Sequence, residues 1–316
     1  MKKTAQTVVV TGGCGAIGVN LLRKLVAIGG YEIHVVDNLS SGNNELPPEV
    51  EFSNIDISNN EKLDNFFKTN KPNVVYHLAA HFANQNSVDH PRSDTMTNVV
   101  GLINLLEQQV SNKDLERVVY ASSSCVYGNS AIMSEDVNVA PYDTPYAINK
   151  YVGELYCKYY AEIHRVPIVC ARVFNNFGPG EEPGPYRNVI PNFILKALRG
   201  EDLLITGSGD ETRDFTYVEN TVDFLYRLAS SKYNCAEVFN SGTGVGLSIE
   251  ELAELIIEIT GSSSALRFTD ARPWDHVKHR VADTKKSGEY LGYDPKPKIR
   301  QELEETVSWI QKKMNL

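Results

Sequence analysis

The chain has 316 residues, 42% hydrophobic and 22% charged, which excludes general disorder and suits one large or two moderate domains. A net charge of −9 disfavours a nucleic-acid partner, whose backbone calls for a basic surface, yet it leaves room for a locally basic pocket. No apolar run reaches the roughly 18 residues of a membrane span. The five cysteines lack CxxC spacing, so no metal site or disulfide framework is expected, and a reducing cytoplasm is the expected compartment.

The first half alternates β-branched runs with longer amphipathic segments. In chain order the pattern predicts a strand over Thr7–Val10, a helix over Ala16–Ala27, strands over Glu32–Val36 and Val50–Ser53, and a helix over Asn60–Thr69. A strand over Val74–Leu78, a helix over Asp94–Gln109, a strand over Val118–Ser122, a helix over Pro145–His164 and a strand over Ile168–Val173 follow. Such alternation argues for an α/β, Rossmann-type, doubly wound parallel sheet. After Asn175 the texture changes: a Gly/Pro-rich loop runs through residues 178–185, followed by helices over Pro191–Arg199, Val218–Ser230, Ser248–Thr260 and Arg300–Lys313 and a strand over Leu203–Thr206. Ser248 and Glu251 have capping-box spacing. A cofactor domain over 1–174 and a smaller α/β substrate lobe over 175–316, with chain crossings between them, are the expected division.

Gly12, Gly15 and Gly18 lie between the first strand and the first helix, with Ala16 and Ile17 opening that helix. Glycines there let a pyrophosphate reach the backbone N–H groups and the positive end of the helix dipole. Asp37 ends the second strand, about 20 residues on, where a carboxylate accepts both ribose hydroxyls of an adenosine. Its neighbours Asn38, Leu39, Ser40 and Ser41 bring no cation for a 2′-phosphate, so NAD is favoured over NADP.

Tyr146 and Lys150 stand at i and i+4 of a predicted helix, on one face. A phenol beside an ammonium can act as a base, provided that phenolate is stabilised by ~4 kcal/mol relative to a free tyrosine at neutral pH. Ser122–Ser124 closes a predicted strand, at the end where ligands approach an open α/β sheet, and a hydroxyl there can bond a substrate oxygen.

At this point several ordered motifs resemble those of the extended short-chain dehydrogenase/reductases, and within them the nucleotide-sugar epimerases and dehydratases. They are Thr11–Gly18, His77–Ala80, Ser122–Gly128, the Tyr146/Lys150 pair, Arg172–Pro179 and Arg213–Val218, spread from Val8 to about Gly292. The resemblance implies that Ser123, Tyr146 and Lys150 are catalytic. It implies that Asp56, Ile57, Leu78, Ala79, Ala80 and Asn98 line the cofactor pocket, and that Lys150 also holds the nicotinamide ribose. It further implies that Ser123, Ser124, Asn175, Asn188, Val189, Arg213, Arg272 and Asp275 bind a nucleotide-diphosphate sugar, the arginines on its diphosphate. Dehydratases carry an Asp-Glu pair directly after the catalytic hydroxyl and decarboxylases a Glu before Val-Tyr-Gly; here Ser124 and Cys125 stand instead. That departure favours epimerisation at C4 of a UDP-hexose or UDP-uronate through a 4-keto sugar, over a 4-dehydrogenase, a dehydratase/decarboxylase or a non-catalytic NAD sensor. Trp274, where epimerases commonly have Gly, reshapes the expected pocket. The helices over Asp94–Gln109 and Pro145–His164 are apolar on more than one side. The former has Met96, Val99, Val100, Ile103 and Leu106 at core spacing, with Leu102 and Leu105 off that stripe. The resemblance implies a homodimer through a four-helix contact of this pair.

Overall fold

The computed structural model describes residues 5–42 and 44–316. Its centre is a seven-stranded sheet whose first six strands in chain order are β1 (Gln6–Thr11), β2 (Tyr31–Asp37), β3 (Glu51–Asn54), β4 (Val74–His77), β5 (Arg117–Ser123) and β6 (Ile168–Val173). The spatial order is Glu237–Ser241, β6, β5, β4, β1, β2, β3, with every pairing parallel. This is the expected Rossmann-type arrangement, and the strand order reverses beside β1, where such sheets open a crevice.

Strand alternation builds two cores. Val8 and Val10 of β1 face one layer, with Leu21, Leu22 and Leu25 of the Ala16–Ile28 helix and Val222, Leu225 of the Val218–Ala229 helix. Val9 faces the other, with Leu63, Phe66 and Phe67, Leu102, Leu105 and Leu106, and Cys157 and Tyr160 from three further helices. Both faces are therefore covered, which is why these strands read as continuous apolar runs.

The strand Glu237–Ser241 was not anticipated. It pairs with β6 from Glu237↔Val169 to Ser241↔Val173, so the chain returns to the main sheet after residue 175. Beyond residue 175 the chain also forms small sheets, including Leu203–Thr206 paired in parallel with Leu266–Thr269. The capping box at Ser248 is formed in full.

The helix expected over Asp94–Gln109 differs in an instructive way. It begins at Pro91, passes through a π-helical segment at Met96–Val100, and continues as α-helix over Gly101–Gln109. A π turn holds an extra residue, which rotates everything beyond it about the axis. The core stripe therefore moves: Leu102 and Leu105 are fully buried with Leu106, while Met96 is 46% exposed and Ile103 only half-buried. No helix among the described residues is long and apolar enough to cross a membrane.

Candidate functional site

A single cleft of about 1310 Å³ runs across the C-terminal ends of β1, β2, β4, β5 and β6. Its cofactor end begins at the glycine turn. Gly12 has φ +73°, and a Cβ there would lie 2.5 Å from the Ala79 nitrogen; one on Gly18 would lie 2.4 Å from the Gly12 carbonyl. Only glycine lets turn, helix and the end of β4 close up this tightly. No side chain caps the Ala16–Ile28 helix, which leaves its first N–H groups for an anion. Asp37 accepts from the Cys14 and Leu39 backbone N–H groups at 2.9 and 2.8 Å, and its carboxylate keeps lone pairs for two hydroxyls. These groups fit a dinucleotide.

Of the residues expected at the cofactor, Gly12, Ala16, Ile17, Gly18, Asp37, Asn38, Ile57, Leu78, Ala79 and Ala80 line the cleft. Gly15, Asp56 and Asn98 do not. Asp56 instead accepts from Asn38 at 2.9 Å and from Ser58. The buried Asn98 amide holds both backbone groups of His81, at 3.1 Å each, and bonds Asp94. Its part is to hold the wall rather than to form it.

The residues expected to be catalytic converge where β5 ends. Ser123 terminates the strand and caps the following 3₁₀ turn, its Oγ accepting from the Cys125 N–H at 3.2 Å. Thr144 caps the Pro145–His164 helix and accepts from the Ala147 N–H, so Tyr146 falls in the first turn. The Tyr146 N–H is taken by Ser87 Oγ at 3.0 Å. Lys150, 3% exposed, donates to the Ala121 carbonyl at 2.8 Å, and its Nζ lies 5.7 Å from the Tyr146 ring centre. Burial pushes the Lys150 ammonium down to about 8, against the pull of Asp94. Burial likewise drives the Tyr146 phenol upward, aided by Cys125 and Asp94, while hydrogen bonding with Ser123 lowers it.

Ser123, Ser124, Asn175, Asn188, Val189, Arg213, Arg272 and Asp275 all line the same cleft. Arg213 bonds the Thr212 and Lys278 carbonyls and lies 3.5 Å from Asp275. Arg272 lies over the Trp274 ring, and Trp274 Nε1 donates to Gln85 at 3.2 Å, bringing the 271–275 loop across to the Asn84–Asp89 helix.

Several contacts beside the glycine turn were not anticipated. Asn44 donates to the Cys14 and Gly180 carbonyls at 2.9 Å each, Asn20 to Pro179 at 2.7 Å, and Arg187 to the Ser41 carbonyl. The 178–188 loop is thereby strapped over the cofactor end. Arg187 brings a cation to the Ser41 carbonyl, in the segment after Asp37 whose own sequence contains none. Their only sequence signal was turn composition, since the bonds to the 178–188 loop join residues 136–159 positions apart.

The NAD dependent epimerase/dehydratase family model matches residues 8–242. The chain belongs to that family. Among solved structures, this family member is similar to an epimerase from Methanothermobacter thermautotrophicus, with 40% identity, TM-score 0.94, and coverage of 98% of this chain and 94% of that one. It is also similar to a UDP-glucose 4-epimerase with UDP-glucose from Thermotoga maritima, with 32% identity, TM-score 0.92, and coverage of 98% and 100%. A UDP-N-acetyl-alpha-D-glucosaminuronate decarboxylase from Bacillus cytotoxicus is 33% identical over 314 residues, 95% of this chain and 96% of that protein. The epimerase/dehydratase fold and its NAD-dependent chemistry thus agree with the cleft.

Proposed function

We propose that this protein is a 4-epimerase of a nucleotide-diphosphate sugar, either a UDP-hexose or a UDP-uronate. The observation that carries the reading is the wall beside Tyr146. Ser123, Ser124 and Cys125 offer it hydroxyls and a thiol, where water elimination needs carboxyl groups. The neighbouring acid Asp94 is fully buried behind the site and bonded to Asn98 and Asn149.

When bound, NAD supplies the hydride acceptor for C4 and then the donor to its other face. The chain's own groups do the rest. Tyr146, as phenolate, takes the C4 hydroxyl proton while Ser123 Oγ holds that oxygen, and Lys150 stabilises the phenolate. Asp37 holds the adenosine ribose, and the uncapped helix N-terminus holds the cofactor pyrophosphate. Arg213 and Arg272 hold the substrate diphosphate, with planar forks suited to phosphate oxygens, and Asn175, Asn188 and Val189 border the nucleotide. The strap over the cofactor end favours a retained cofactor, as an epimerase with zero net redox requires. A panel of UDP-, dTDP-, GDP- and CDP-sugars assayed by NMR tests the reading. A changed C4 configuration without absorbance growth at 340 nm is the expected result. Steady accumulation of NADH would make it a 4-dehydrogenase.

A second copy of the chain is the proposed partner. On the Pro145–His164 helix, Ile148, Leu155, Tyr159 and Ile163 are 41–63% exposed at i, i+7, i+11 and i+15, one continuous stripe. Met96 and Val110 are exposed on the neighbouring helix segments. Light scattering is expected to give about twice the 35.2 kDa chain mass; a single-chain mass argues against the four-helix contact.

A further inference from the structure

The strand His279–Arg280 pairs in parallel with Thr212–Arg213, and Arg280 stands opposite Arg213. Two guanidinium groups thus leave adjacent strands in register, 8% and 9% exposed. Like charges opposed on neighbouring strands are destabilising, and a buried charge without a counter-ion is more so. Arg213 has Asp275 at 3.5 Å. Arg280 has no carboxylate within 4 Å among the described residues. Its Nη1 meets Cys125 Sγ at 3.5 Å, and its buried Nε has no partner. Both arginines line the cleft. A pair this unfavourable in the free protein calls for an anion between or beside its members.

The position of Arg280 says which anion. Its neighbour Cys125 is bonded through its N–H to Ser123 Oγ at 3.2 Å, so Arg280 belongs to the reacting end of the cleft. We propose that Arg280 binds a carboxylate carried by the sugar itself, making the substrate class a nucleotide-diphosphate uronate rather than a neutral hexose. This inference rests on the nucleotide-sugar reading above. In a uronate the C6 carboxylate is attached to C5, next to the C4 hydroxyl handled by Ser123 and Tyr146. Arg213 and Arg272 already suffice for the diphosphate, which leaves Arg280 as the surplus cation.

Calorimetric titration of the NAD-loaded protein with UDP, UDP-glucose and UDP-glucuronate tests the proposal. The unmodified protein is expected to bind UDP-glucuronate about 10- to 100-fold more tightly than UDP-glucose, the span of a charge-assisted bond. Arg280→Gln should bring that ratio near one, with UDP losing far less affinity than UDP-glucuronate, and Arg280→Lys should keep part of the preference. Equal weakening of all three by Arg280→Gln assigns Arg280 to the diphosphate and overturns the proposal. So does a lack of preference in the unmodified protein, a result that needs no variant to fold. If UDP-glucuronate is preferred through Arg280 but emerges without a C4 epimer, for example as a pentose after loss of CO₂, the Arg280 assignment stands and the epimerase reading falls.

Discussion

Tyr146→Phe is expected to lower turnover by about 10²- to 10⁴-fold, the contribution of a positioned general base, while binding of NAD changes little. The size follows from where the phenol sits. A free tyrosine needs ~4 kcal/mol of preferential phenolate stabilisation to act at neutral pH. In the protein alone the requirement is greater, because burial, Cys125 and Asp94 all raise the phenol. The compensating charges are Lys150, 5.7 Å from the ring centre, and the positive ring of the oxidised cofactor. Phe keeps the ring and its edge contact with Phe82, so the fold should be undisturbed. Lys150 itself is held down to about 8 by burial. The unfolded chain therefore binds more protons than the folded one between about pH 8 and the usual lysine value near 10.4. The cost of burying this charge is fully present below pH 8 and is relieved as pH rises through that window. Stopped assays with each variant, together with NAD titration, check the first claim; full activity in Tyr146→Phe removes Tyr146 from the mechanism.

The largest stability effect is expected one layer behind the site. Glu154 and Arg172 are both buried and form a two-point pair, with Nε to Oε1 at 3.0 Å and Nη2 to Oε2 at 2.8 Å. Ser122 Oγ donates to the same carboxylate at 2.5 Å, and the guanidinium lies 4.6 Å from the Tyr127 ring centre. Tyr127 in turn bonds Asn240 at 2.7 Å, so the network links β5, β6, the Pro145–His164 helix and the Glu237–Ser241 strand. Burial works against the guanidinium, but the Glu154 bonds hold its pKa above the usual arginine value. Glu154→Ala strands that cation, and breaking a buried pair from one side costs about 3–5 kcal/mol. Replacing both partners by apolar residues of similar volume should recover much of the loss. Urea unfolding of the two proteins checks this, and a loss below about 1 kcal/mol for Glu154→Ala would show that solvent reaches the pair.

The parts legible in sequence were those written locally. Gly12, Gly18 and Asp37 mark one turn and one strand end, and Tyr146 with Lys150 needs only the helical repeat; all five line the one cleft. The parts that escaped depend on distant partners. The Glu237–Ser241 strand is five residues long and is stabilised by pairing with β6 rather than by a strong β-forming run. The π segment at Met96–Val100 has no distinct composition, yet it exchanged Met96 for Leu102 in the core. Asn98 carried a motif position but spends its amide on His81. Arg280 is invisible as a site residue until the sheet sets it opposite Arg213, 67 positions earlier.

The most direct test of the central claim uses a UDP-sugar substrate deuterated at C4. Oxidation at C4 with return of the same hydride to the opposite face predicts a C4 epimer that keeps its deuterium, with none exchanged into water. Loss of the label to solvent would contradict the account, because it requires the C4 hydrogen to leave as a proton.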